Sequence, residues 1–186
     1  MKYSVVKSWL PFALIITGFC ALVYGTVQQD YRQSLNDPQI QMAEDASAKL
    51  ESGASPQLVV PTEVINISSS LAPYTIVYGD DGKEVAFSGR LDGNAIIPPL
   101  GVFDFAKQNG EDRLTFEPQA GVRSAVVVRY YNNAGHSGFV LVGRGMREVE
   151  KREVKLEIMV GIAWIVLLVS SFVLIAFLEF LTGRNA

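Results

Sequence analysis

Three guanidinium groups on apolar runs offer the clearest chemistry in this chain. In VRSAVVVRYY, Arg123 and Arg129 alternate with Ala125, Val127 and Tyr131 at even spacing, so a regular strand places all five on one side. Arg113 stands in the preceding run beside Leu114 and Phe116. A guanidinium on an aliphatic and aromatic sheet face can grip a carboxylate through two parallel hydrogen bonds. Arg113, Arg123, Arg129 and Tyr131 are therefore the candidate site for a small carboxylate ligand, with Ala125 and Val127 leaving room on an open face. The competing reading is that the arginines reach past the sheet edge into water or pair with Asp104, Asp112 or Glu117.

Other chemistry is sparse. GxGxxG, the phosphate-binding loop, HExxH and GxSxG are all absent. One cysteine, Cys20, and one histidine, His136, exclude a disulfide framework and a Cys/His metal centre. His136 falls in the turn-like NNAGHSG and reads as an exposed residue without function. Asp80-Asp81 and Glu111-Asp112 read as acidic pairs in turns, short of a calcium ligand set. Asn66-Ile67-Ser68 matches a glycosylation sequon and reads as coincidence. No nucleophile, base and orienting group can be assembled, so an enzyme is disfavoured and no cofactor is implied. Sixteen Lys and Arg against nineteen Asp and Glu give a net charge of -3 without a basic block, which argues against nucleic acid as a partner.

The elements that must carry these residues follow from the hydropathy pattern. Apolar residues make up 49% of the 186 and charged residues 19%, but the average hides two populations. No charge occurs from Ser8 to Gln29, nor from Ile158 to Leu178. As helices, residues 9–27 and 158–178 rise about 28 Å and about 32 Å, matching a hydrocarbon core of roughly 30 Å. Trp9 and Tyr24 sit near the ends of the first run, where amphipathic rings favour the interface, and Pro11 falls in its first turn. The rival reading is a cleaved signal peptide with Lys2 and Lys7 as its basic start, against which stand the length of the run and the lack of a small-residue cleavage site. These segments predict membrane helices over 9–27 and 158–180, with residues 28–157 between them. Lys2, Lys7 and Arg184 on the short flanks place residues 1–8 and 181–186 in the cytoplasm and the region between outside it. Thr17, Ala21 and Gly25 form a small-residue stripe that suits close helix packing, against the second span, a second copy or another membrane protein.

Between the spans, Asp37-Pro38 starts and Gly53 stops an amphipathic helix with Ile40, Ala43, Ala46 and Leu50 at helical spacing. A loop follows, with at most a short helix around 63–70. YTIVY and KEVAFSG read as a hairpin turning at Asp81-Gly82. A helix is expected from Pro98-Pro99 to Gly110, carrying Val102, Phe103, Phe105 and Ala106. RLTFE, VRSAVVVRYY and SGFVLVGRG read as an antiparallel meander. From Met146 a 3-4 apolar spacing runs without Pro or Gly into the second span, a stiff rod laced with pairs such as Glu148 with Arg152. The expected class is α+β, a five-stranded antiparallel sheet between two membrane helices.

YTIVYGDDGKEVAFSG and GFVLVGRGMREVEKRE resemble the opening hairpin and the final strand with exit helix of the PAS-like or Cache-like extracytoplasmic sensor region of bacterial two-component histidine kinases. The resemblance covers roughly residues 37 to 157. It implies a sensory domain in a two-pass protein of a bacterial cytoplasmic (inner) membrane. Because only LTGRNA follows the second predicted span, 158–180, no kinase activity is expected; the domain would relay a ligand or envelope signal to a separate membrane partner or within a homodimer. The alternative is a structural or accessory subunit that uses the domain as a protein-binding surface.

Overall fold

The computed structural model describes residues 2–33, 37–133 and 135–183. In chain order the elements are α1 (Lys2–Gln33), α2 (Asp37–Glu51), the single turn α3 (Pro56–Val59), β1 (Ile65–Asn66), β2 (Tyr74–Gly79), β3 (Glu84–Phe87), β4 (Gly89–Arg90), α4 (Val102–Asn109), β5 (Glu111–Gln119), β6 (Val122–Asn133), β7 (His136–Gly145) and α5 (Arg147–Gly183). The class is mixed α+β, with two long apolar helices flanking, along the chain, a five-stranded antiparallel sheet of order β3-β2-β7-β6-β5. The chain divides into two compact units, residues 1–31 with 151–186, and residues 32–150.

In the second unit the sheet is buried on both faces, which explains the near-continuous apolar text of its central strands. Val77, Val127, Val140 and Val142 face α2, whose Ala43, Ala46 and Leu50 pack on them. Small residues on α2 let its backbone approach the sheet. Gly53, at φ +95°, ends that helix, and the bonds from its N–H to Leu50 O and from Ala54 N–H to Lys49 O make a Schellman turn. The opposite face carries Tyr74, Ile76, Tyr78, Val126, Val128, Phe139 and Leu141, covered by Val102 and Ala106 of α4 and by Ile96. Tyr74 requires bare backbone around it: a Cβ on Gly143 would lie 2.4 Å from its ring, and one on Gly89 2.7 Å from its own Cβ.

Several sequence expectations shift. The short helix anticipated around 63–70 stands at Pro56–Val59 instead, where Pro56 supplies a first helical residue that needs no N–H bond. Residues 65–66 form β1, which pairs in parallel with β4. The helix expected from Pro98-Pro99 begins at Val102, because the residue before a proline is pushed out of the helical region and Gly101 takes a left-handed φ of +88°. Its Phe105 is 51% exposed. Glu111 and Asp112 belong to β5, not to a turn.

In the first unit, α1 and α5 are both long and apolar enough to cross a membrane. α1 begins at Lys2, so Pro11 lies inside the helix and not in its first turn, and removes one interior hydrogen bond. The two helices of this unit meet in antiparallel fashion. Trp9 Nε1 donates to Ser171 Oγ at 3.0 Å, its ring meets Phe172 edge-on, and Trp164 Nε1 donates to Thr17 Oγ1 at 3.0 Å. Of the small-residue stripe, Thr17 and Ala21 line a groove with Gly161 and Trp164, so α5 packs against α1. Nothing lies within 4 Å of a Cβ built on Gly25. Leu14, Ile15, Phe19 and Leu22 of α1, and Ile162, Ile165 and Val169 of α5, remain exposed, a surface suited to lipid. Arg184, used above for orientation, lies outside the described residues.

Candidate functional site

The arginines singled out from the sequence already have carboxylate partners inside the chain. β6 turns the side of Arg123, Ala125, Val127, Arg129 and Tyr131 toward α2, so the face expected to be open is covered over its middle. Arg129 Nη1 donates to Glu44 of α2 at 3.0 Å and to Glu111 of β5 at 3.2 Å. Glu111 also takes the Arg113 Nε–H. Arg123 Nη1 donates to Glu150 in the first turn of α5 at 3.0 Å. The crevice at Arg123 has a volume of about 30 Å³, room for a water and not for an organic acid. Pairing was one of the two readings of these arginines, but the partners are Glu44, Glu111 and Glu150 instead of Asp104, Asp112 and Glu117. The two-pronged guanidinium grip does occur, at Arg90, whose Nη1 and Nη2 reach Glu84 at 2.9 and 2.5 Å while its guanidinium lies 3.4 Å from the centre of the Phe87 ring.

Of the four, Tyr131 lines a cavity of useful size. A cleft of about 590 Å³ lies at the hairpin end of the sheet, within the range of small-molecule sites. Three segments wall it. Leu50, Gly53, Ser55 and Pro56 come from the end of α2 and its exit loop, Gly79, Asp80 and Val85 from the β2–β3 hairpin, and Tyr131, Asn133, His136 and Ser137 from the β6–β7 hairpin. Asn133 Nδ2 donates to Leu50 O at 3.3 Å, tying two of these walls together. Gly138 keeps the approach open, since a Cβ there would lie 2.9 Å from the Tyr131 hydroxyl and 2.2 Å from Tyr78 O.

Among the described residues, no Lys or Arg lines this cleft. Its acidic member, Asp80, accepts from Lys107 Nζ at 2.7 Å, which balances its charge. The rest of the lining combines the aliphatic Leu50, Pro56 and Val85 with hydroxyl, amide and imidazole groups, a composition matched to uncharged polar molecules. Burial pushes the Tyr131 hydroxyl above its ordinary pKa.

The other ionisable side chains of the core are structural. Tyr74 donates to Ser124 Oγ at 2.8 Å, and Ser124 in turn donates to Arg144 O at 3.1 Å. Burial pushes the Tyr74 hydroxyl up to about 12, the Ser124 bond offsetting part of that rise. Tyr78 donates to Ile96 O at 2.9 Å and is raised as well, chiefly by burial. The sequon asparagine, Asn66, is held by a local network in which its Nδ2 donates to Asp92 Oδ1 at 2.9 Å and its Oδ1 accepts from Ser68 N–H at 3.2 Å. The Asn66 bond and a second one from Ser68 Oγ, which donates to Asp92 Oδ1 at 2.9 Å, hold the Asp92 carboxyl below its ordinary pKa. Among the described residues, no group of three or more His, Cys, Asp and Glu side chains is placed to hold a metal ion.

Sequence reasoning missed His136, Ser137 and the 53–56 loop as walls of one cleft. The available signal was that NNAGHSG closes the two longest strands, so its polar residues gather at one end of the sheet. No protein-family model matches the chain, and no curated protein is found to be similar to it.

Proposed function

We propose that this chain is a two-pass membrane protein with a PAS-like sensory domain outside the cytoplasm, which takes a small uncharged polar molecule in the Tyr131 cleft and relays its occupancy through α5 to a membrane partner. The observation that carries this reading is the course of one strand. β7 starts at His136 in the cleft wall, ends at Gly145, and leads after a single residue into α5, which runs as one helix from Arg147 to Gly183. A stiff helix transmits a small displacement that a flexible linker would dissipate. Occupancy of the cleft favours one position of the β6–β7 hairpin by as much as the ligand prefers that position, and no more.

The test uses the full chain in nanodiscs and a panel of sugars, polyols, amines and short-chain acids at millimolar concentration. Uncharged members should raise the melting temperature, acids should not, and Ser137→Trp, which fills the cleft, should abolish the effect. Binding by acids alone, or binding that survives Ser137→Trp, would contradict the proposal, as would a panel in which nothing binds.

A further inference from the structure

We propose that β5 is a contact edge between two copies of this chain, which join their sheets antiparallel about a two-fold axis at Thr115. The sheet has two edges, β3 and β5. β3 has four residues and an irregular register with its neighbour, whereas β5 has nine. Against β6, the residues Asp112, Leu114 and Phe116 stand opposite Val128, Val126 and Ser124. The bond from Tyr130 N–H to Gly110 O at 3.1 Å fixes these even-numbered positions as the ones that exchange hydrogen bonds with β6. The N–H and C=O groups of Glu111, Arg113 and Thr115 therefore point off the edge.

Symmetry restricts what can dock there. A two-fold axis relating two identical antiparallel strands in one sheet must stand normal to the sheet, so each face stays on its own side and a residue meets one of its own parity. Centred on Arg113 or on Asp112, the register sets a like charge against itself; centred on Leu114, it sets Glu111 against Glu117 of the partner subunit. Centred on Thr115, it sets Arg113 against Glu117 of the partner subunit on one face and Leu114 against Phe116 of the partner subunit on the other. The complementary charge pair occurs twice in that dimer, and the half-buried Leu114 and Phe116 gain cover beside the α4 side of the core. Pairing runs out after Glu117, since the register is irregular between Phe116 and Gln119 and Pro118 has no N–H to offer. The rival explanation is that Arg113 and Glu117 only blunt an edge that would otherwise aggregate. The proposal stands apart from the sensory reading, since it uses no cleft residue.

The two explanations differ in a charge-swap experiment on full-length protein carrying Cys20→Ser and the reporter Thr115→Cys. Detergent micelles are used because they impose no common membrane plane, so copies in one membrane and copies in apposed membranes both register. A short bismaleimide should cross-link the reporter to itself. Adding Arg113→Glu leaves two acids opposite each other, and adding Glu117→Arg leaves two arginines; each alone should lower the cross-linked dimer about tenfold. Mixed together, these two variants restore opposite charges at both positions and should recover the dimer, as should the double swap in one chain. Cross-linking that is absent, that is indifferent to charge, or that captures only other proteins would overturn the proposal.

Discussion

On the α4 side of the sheet the core is built from rings: Phe103 stacks on Phe139 at 4.6 Å, Tyr78 and Tyr130 close around them, and Tyr74 fills the space above Gly143. On the α2 side it is built from valines under alanines. The ring side is held by directional bonds, since Tyr74 and Tyr78 each place a buried hydroxyl on a specific acceptor. The α2 side has smooth aliphatic contact, pinned at its rim by Glu44 with Arg129 and by Asn133 with Leu50 O. Sliding a helix over small aliphatic side chains breaks few directional bonds, and a rim ion pair contributes little. Leu50, at the end of α2, also lines the cleft. The comparison assigns rigidity to one face and adjustment to the other.

The strongest way to break this comparison is Tyr74→Ala, which should cost about 3 to 5 kcal/mol, measured by denaturant unfolding, because a large buried ring and its hydroxyl bond are lost together. A cost near 1 kcal/mol would mean that the ring side is no more rigid than the α2 side. Alkaline titration comes next. Tyr74 has a folded pKa of about 12 against an ordinary 10.0, so its contribution is fully present below pH 10 and is lost as the pH rises toward 12. Two units correspond to about 3 kcal/mol of stability lost across that window. Tyr78, also raised, steepens the loss. Tyr74→Phe should flatten the slope, and an unchanged slope would show that Tyr74 is not shielded as described.

Smaller effects belong to the α2 side. Gln39 is fully buried, and among the described residues neither atom of its side-chain amide has a hydrogen-bond partner. Gln39→Met should therefore stabilise the domain by about 1 to 2 kcal/mol, since an unsatisfied buried amide costs more than the apolar group that replaces it. Destabilisation would reveal a partner for the amide in solution. Glu44→Gln should cost only about 0.2 to 1 kcal/mol in a thermal melt at low salt, and less at high salt, because both side chains reach water. A larger, salt-insensitive cost would make that pair an anchor and remove the contrast between the faces.

Local patterns carried much of the fold. The helical spacing of Ile40, Ala43, Ala46 and Leu50 marked the buried face of α2, and runs such as SGFVLVGRG marked the strands. That neither side of β6 stays open could not be read, because SAVVV is apolar at both parities and α2, which covers one of them, lies some eighty residues earlier in the chain. The carboxylates on Arg123 and Arg129 were hidden for the same reason, since Glu150 and Glu44 come from two different helices. The cleft needs three segments that only the sheet order brings together, with His136 and Ser137 contributed by a turn whose text shows polarity but not what it faces.

The central claim, that the strand leaving the cleft continues into one unbroken helix able to carry a displacement, is tested most directly by hydrogen exchange on the full chain in nanodiscs, read at the amides of residues 151–157. The account predicts exchange at least about a hundredfold slower than in an unstructured chain, an opening free energy above roughly 2.7 kcal/mol. Exchange at the rate of an unstructured chain over that stretch would mean that no rod exists there and would contradict the relay.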